Sequence, residues 1–175
     1  MNQNLLPGVP PERRRCSSLF NPKEFKVQCL RECPTPIEMQ LCDTPDKAVA
    51  YWRSHIVNHP YFSPDVETMV VILVNTRRRI IGHHLVATGT LDTILVHPRE
   101  VFRAAVIIAS AALILAHNHP SGDPTPSEAD IKVTRDLIRA GQLIKIDVLD
   151  HVIVGQASQE RVKDYVSLRE GGYFY

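Results

Sequence analysis

Residues Ala111–Ala116 form an unbroken apolar run that leads directly into His117-Asn118-His119 and a Pro/Gly-rich turn. Short and bounded by turn signals, the run reads as a buried strand. Side chains at i and i+2 share one face of a strand, so His117 and His119 project the same way from its end. Beyond the turn, Thr125-Pro126-Ser127-Glu128 reads as a helix start, with Thr125 as N-cap, proline in the first turn and Glu128 closing a capping box. That helix is expected over 126–140 with Gly141 as its stop, and Ser127 and Asp130 share one of its faces. Strand, loop and helix thus bring two imidazoles, a hydroxyl and a carboxylate towards one point.

His117, His119 and Asp130 form a zinc-type donor set that leaves one position of a tetrahedral ion open, as catalytic sites do. Zinc lowers the pKa of bound water from about 15.7 to roughly 7. Such a site needs an oxyanion partner, for which Ser127 is placed, and a proton acceptor from a carboxylate that is not itself a ligand. Taken alone, His-x-His is usually a solvated or core pair, and a serine near a helix start is often only a cap. Agreement of all the elements around the full set is what favours metal.

The pattern His-x-His, seven residues, Ser, two residues, Asp resembles the JAMM motif of the MPN (JAB) metalloprotease fold. With Val96-His97-Pro98-Arg99-Glu100-Val101-Phe102 before it and Val148-Leu149-Asp150-His151-Val152-Ile153-Val154-Gly155 after it, the chain resembles the bacterial RadC family in particular, over roughly 67–155. The resemblance implies an α/β fold with a mixed sheet flanked by helices, similar to the deaminase-like architecture. It implies zinc held by His117, His119 and Asp130, with Ser127 at the oxyanion. It also implies Glu67 as proton acceptor, since the family's glutamate stands just before the first core strand. The chain departs from the family in having Met69 and Asn75 where an aromatic and an Asp are usual. Asn118 replaces the Ser or Thr found in JAMM deubiquitinases.

On these grounds the expected activity is a zinc metallohydrolase, a metallopeptidase attacking an amide or isopeptide bond in a peptide or protein substrate. The alternative is a non-catalytic MPN module in a DNA-repair or mobile-element complex. A zinc nucleobase deaminase would require H-x-E with P-C-x-x-C, and neither occurs. Of the other histidines, His83 and His84 are expected to point to opposite sides of a strand and His97 to sit at a helix entry. Asp150-His151 is either a support for the metal ligands or the orienting pair of a strand junction.

The remaining organisation is read from local signals. Residues 1–43 hold all four cysteines and much of the proline, and are expected to be a poorly packed extension or contact arm preceding an MPN domain over 44–175. The cysteines lack paired C-x-x-C spacing and are expected as free thiols. A helix is expected from Pro45 towards Asn58 with Val49, Trp52 and Ile56 on one face. Strands are expected near 68–74, 80–88, 91–96, 144–149 and 151–154, with a helix opening at Pro98 and a short one over 158–166. A net charge of +1 lacks the basic balance of a nucleic-acid binder. Arg13–Arg15 and Arg77–Arg79 leave room only for weak, non-specific contact, and the second cluster reads as a solvated hairpin turn. No apolar run approaches the ~20 residues of a membrane span and no signal pattern opens the chain, so a cytoplasmic location is the default expectation.

Overall fold

Two six-residue apolar runs of the chain, Met69–Val74 and Ala111–Ala116, supply the centre of a sheet whose two faces are both covered. The computed structural model describes residues 28–30, 32–33, 35–60, 62–89, 96–158 and 161–175. Among these the elements run α1 (Ile37–Gln40), α2 (Pro45–Tyr51) continued by a π-helical turn (Trp52–Ile56), β1 (Thr68–Val74), β2 (Ile80–Thr88), α3 (Pro98–Ile107), β3 (Ala112–Asn118), α4 (Glu128–Ile144), β4 (Asp147–Val154) and β5 (Tyr165–Ser167). The strand order is β2-β1-β3-β4-β5. β1 is antiparallel to β2 and β3, β4 runs parallel to β3 through the α4 crossover, and β5 returns antiparallel on β4. This is the mixed α/β sheet expected from sequence.

β1 and β3 are buried at every position because the sheet is clothed on both sides. Val70, Ile72, Val74, Ala112, Ile114 and Ala116 pack against Ala48, Val49, Trp52 and Ile56 of α2 and its extension. Val71, Leu73, Leu113 and Leu115 face Val101, Phe102 and Ala105 of α3 and Leu137 of α4. The alternation decides where function can sit. His117 continues the odd-numbered side of β3 towards α4, and Asn118 the opposite side.

α4 overruns its expected end at Gly141. A Cβ there would lie 2.4 Å from the Ile146 carbonyl oxygen and 3.2 Å from the Phe102 ring, so this glycine permits close packing inside the helix and does not stop it. The stop is Lys145, in the left-handed conformation (φ 59°), whose N–H donates to the Gly141 carbonyl. The two strands expected over 144–149 and 151–154 are one, with a pairing irregularity between Leu113 and Ile114 absorbing the break. The helix expected over 158–166 is absent from the described residues. Tyr165–Ser167 pairs with β4 instead and buries Tyr165 and Ser167, and those ladder bonds outweigh local helix propensity. The strand expected near 91–96 lies outside the described residues except for Val96, as do Arg13–Arg15 and Cys16.

At the other edge, Leu41 bridges to Arg79 and the Cys42 N–H donates to the Arg78 carbonyl at 2.9 Å. Cys42 is fully buried, and that burial pushes its thiol up to about 12, so no thiolate forms near neutral pH. Arg77–Arg79 are exposed in the β1–β2 turn, where Asn75 Oδ1 accepts from the Arg77 and Arg79 N–H groups. No helix among the described residues is long and apolar enough to cross a membrane.

Candidate metal centre

The site forms where β3 ends and α4 begins, the usual ligand position outside the carboxyl end of a strand in an α/β sheet. His117 is fully buried, Asp130 is buried and His119 is half-buried. Their ligand atoms all lie within 4.8 Å of one another. His117 Nε2 is 3.2 Å from Asp130 Oδ1, His119 Nε2 is 3.5 Å from Asp130 Oδ2, and the two Nε2 atoms are 3.1 Å apart.

The expected cap at Thr125 is displaced by two residues. Asp123 Oδ1 accepts from both the Thr125 N–H and its hydroxyl, which commits Thr125 to the loop. Ser127 caps α4 instead, with Asp130 in place of Glu128 as its capping-box partner. Ser127 Oγ accepts from the Asp130 N–H at 3.2 Å, and Asp130 Oδ2 accepts from the Ser127 N–H at 2.8 Å and its hydroxyl at 2.6 Å. The helix start thereby aims the carboxylate of Asp130.

Hydrogen bonds behind the imidazoles fix their tautomers. His119 Nδ1 lies 2.7 Å from the Asp123 carbonyl oxygen, which can only accept, so Nδ1 carries the proton and Nε2 the lone pair. For His117 the proton is fixed through a chain of side chains. Thr134 donates its single hydroxyl proton to the Asp130 carbonyl at 2.6 Å, so its oxygen accepts from His151 Nδ1–H at 2.6 Å. His151 Nε2 is then an acceptor for His117 Nδ1–H at 2.8 Å, and His117 Nε2 also points its lone pair at the site. Burial drives His151 well below the ordinary imidazole value, which keeps it neutral as this chain requires.

Burial alone would raise the Asp130 carboxyl, but with no metal bound, N–H donation and charge from His117 and His119 when their Nε2 atoms carry protons, with the Ser127 hydroxyl, hold it far below the usual carboxylate range. His119 is raised: burial opposes the proton, while Asp130, the Asp123 carbonyl and the charge of Glu67 favour it. Asp130 Oδ1 is buried with no hydrogen-bond partner. A buried anionic oxygen left in that state, beside two imidazole lone pairs, fits a cation, and the N, N, O donor set fits zinc.

Glu67 is half-buried just before β1. The pairing of β1 with β3 ends at Met69 and His117, and Glu67, two residues before that pair, lies near enough to His119 for its charge to raise that imidazole. The Glu67 carbonyl accepts from the Gly89 N–H at 2.9 Å. Of the pair whose role sequence left open, His151 supports His117, and Asp150 orients a strand junction by accepting from Ser167 Oγ and the Arg169 N–H. His97 is the N-cap residue of α3, and His83 Nδ1 lies 2.8 Å from the Tyr51 hydroxyl, away from the metal centre. Thr134 was missed, although it lies four residues after Asp130 and so on the same helix face. Arg161 was also missed: it binds Asp123 Oδ1 and the Gly122 carbonyl, bracing the loop whose carbonyl orients His119.

Residues 42–173 match the family model of the RadC-like JAB domain. A UPF0758 protein of Thermosynechococcus vestitus is 41% identical over 165 residues, covering 94% of this chain and 60% of that protein. A UPF0758 protein of Symbiobacterium thermophilum is 50% identical over 107 residues, 61% of this chain and 43% of the relative, and one of Methanosarcina acetivorans is 43% identical over 107 residues, 61% and 44% respectively. The chain spans about half the length of the curated relatives it matches. Sheet order, the strand–loop–helix site and the family match agree, and the chain belongs to the RadC family of JAB domains.

Proposed function

We propose that this domain is a zinc-dependent hydrolase that cleaves an amide or isopeptide bond in a peptide or protein substrate. The observation that carries the reading is the convergence of His117 Nε2, His119 Nε2 and the Asp130 carboxylate, each with its other polar atoms engaged so that lone pairs face a common point. Zinc held there supplies Lewis acidity and makes water a nucleophile near neutral pH. Glu67, whose charge reaches His119 from just before β1, takes the proton released and returns it to the departing amine. Ser127, at the mouth of α4, has its hydroxyl on Asp130 and turns it towards the oxyanion as charge develops.

The test is purification with zinc quantification, followed by a screen of peptide and isopeptide substrates. Wild type is expected to hold about one zinc per chain, and His119→Ala to lose it. Glu67→Gln should keep zinc and lose hydrolysis by roughly 10²-fold to 10⁴-fold. Equal zinc in wild type and His119→Ala would misplace the site, and equal turnover in wild type and Glu67→Gln would remove the proton carrier from the mechanism.

A further inference from the structure

We propose that Asn118, the residue between the two histidine ligands, is a positioning residue that fixes Glu67 relative to the metal; this rests on the role given to Glu67 above. Asn118 is buried, and strand alternation sends its side chain to the face opposite His117 and His119. Its Oδ1 accepts from the Thr68 N–H at 2.9 Å, and its Nδ2 donates to the Val66 carbonyl at 3.1 Å. These are the peptide groups on either side of Glu67. The paired register of β1 with β3 ends at Met69 and His117, so one residue further on a side-chain amide takes over from the backbone ladder. With the Gly89 N–H on the Glu67 carbonyl, the backbone carrying this carboxylate is pinned on both sides.

The geometry demands the amide. One planar group must accept from an N–H and donate to a C=O, and asparagine carries both functions at that reach. Aspartate, of the same shape, would keep the bond to Thr68 and set a negative oxygen against the Val66 carbonyl. Serine is too short to span both groups. The two metal-binding histidines and the anchor of the proton carrier are therefore consecutive residues at the end of β3, and one side chain ties the position of the acceptor to the strand that carries the ligands.

The experiment uses the cobalt-substituted protein, whose visible spectrum is followed against pH for wild type, Asn118→Asp, Asn118→Ser, Glu67→Gln and the Asn118→Ser/Glu67→Gln double variant. Metal content and amide hydrogen exchange are measured alongside. Both Asn118 variants should keep the metal, because the ligands lie on the other face. In Asn118→Ser the Thr68 amide should exchange about tenfold faster, as expected for losing one net hydrogen bond. Each Asn118 variant should shift the spectral midpoint in the direction Glu67→Gln shifts it. The double variant should match Glu67→Gln alone, because a residue acting through Glu67 has nothing left to act on. A shift with Glu67→Gln but none with either folded Asn118 variant overturns this proposal and leaves the role of Glu67 standing. Effects that add in the double variant also overturn it, assigning Asn118 a purely structural part. No shift with Glu67→Gln overturns the role of Glu67 itself, and this proposal with it.

Discussion

Replacing Thr134 by valine would test whether the hydrogen-bond chain behind His117 sets zinc affinity. Thr134 and His151 are both fully buried. Valine matches the shape of threonine and removes only the oxygen that accepts from His151 Nδ1–H. In the metal-free protein the loss is relieved by a tautomer change: His151 moves its proton to Nε2 and donates to His117 Nδ1, and His117 then carries its proton on Nε2, 3.2 Å from Asp130 Oδ1. That tautomer cannot ligate. Binding zinc forces the original one back and leaves the buried His151 N–H without an acceptor, which costs about 1–3 kcal/mol. The cost falls on the bound state alone, so affinity should drop about 5-fold to 150-fold at about 1.4 kcal/mol per decade. Loss of comparable supports behind other metal ligands typically costs about 10-fold to 100-fold. Competition against a chromophoric chelator reads the effect, with Thr134→Ser as the control that keeps the hydroxyl. Thr134→Val binding zinc as tightly as Thr134→Ser, with both folded, would refute the chain.

Two further outcomes follow from the electrostatics and the packing. In the metal-free protein His119 is raised above 6.5, so its contribution to stability is complete below 6.5 and fades as pH rises through the folded value; Asp130 is lowered from 3.8, so its contribution is present above 3.8 and is lost as pH falls. Protons thus stabilise the empty site between these values and compete with metal there, and the thermal upshift on adding zinc should be small near about pH 5 and grow towards about pH 7.5. An upshift independent of pH would contradict this. Gly141→Ala should lower the melting temperature, because its Cβ would meet the Ile146 carbonyl oxygen at 2.4 Å. Overpacking of about 1–3 kcal/mol outweighs a helix-propensity gain of about 1 kcal/mol, and a more stable variant would disprove the close approach.

The metal ligands could be read from the sequence because they are local. A strand period of two places His117 and His119 together, and a helix start eleven residues further on carries Asp130, so neither step needs long-range information. The supports were only partly legible for the converse reason: Asp150-His151 could be named as a candidate support, but not assigned. His151 follows His117 by 34 residues, and only the parallel pairing of β3 with β4 brings them together. The cap moved from Thr125 to Ser127 because an Asp123 side chain captured the earlier candidate, a choice between two equivalent local patterns. Gly141 reads as punctuation along the chain and becomes a contact only once Phe102 and Ile146 arrive beside it.

The alternation along β3 also makes the strand behave like a reading frame. Apolar residues from Ala112 to Ala116 can be exchanged for one another within the limits of volume, since each substitution leaves the phase of the strand unchanged. Losing or gaining one residue there shifts the phase by half a period and turns Asn118 to the face that His117 and His119 occupied. Both ligands and the anchor of Glu67 would change sides in one step, while composition, hydropathy and strand propensity stayed almost the same. In descendants of such a chain, length within this short segment is therefore under tighter constraint than the identity of any residue that fills it.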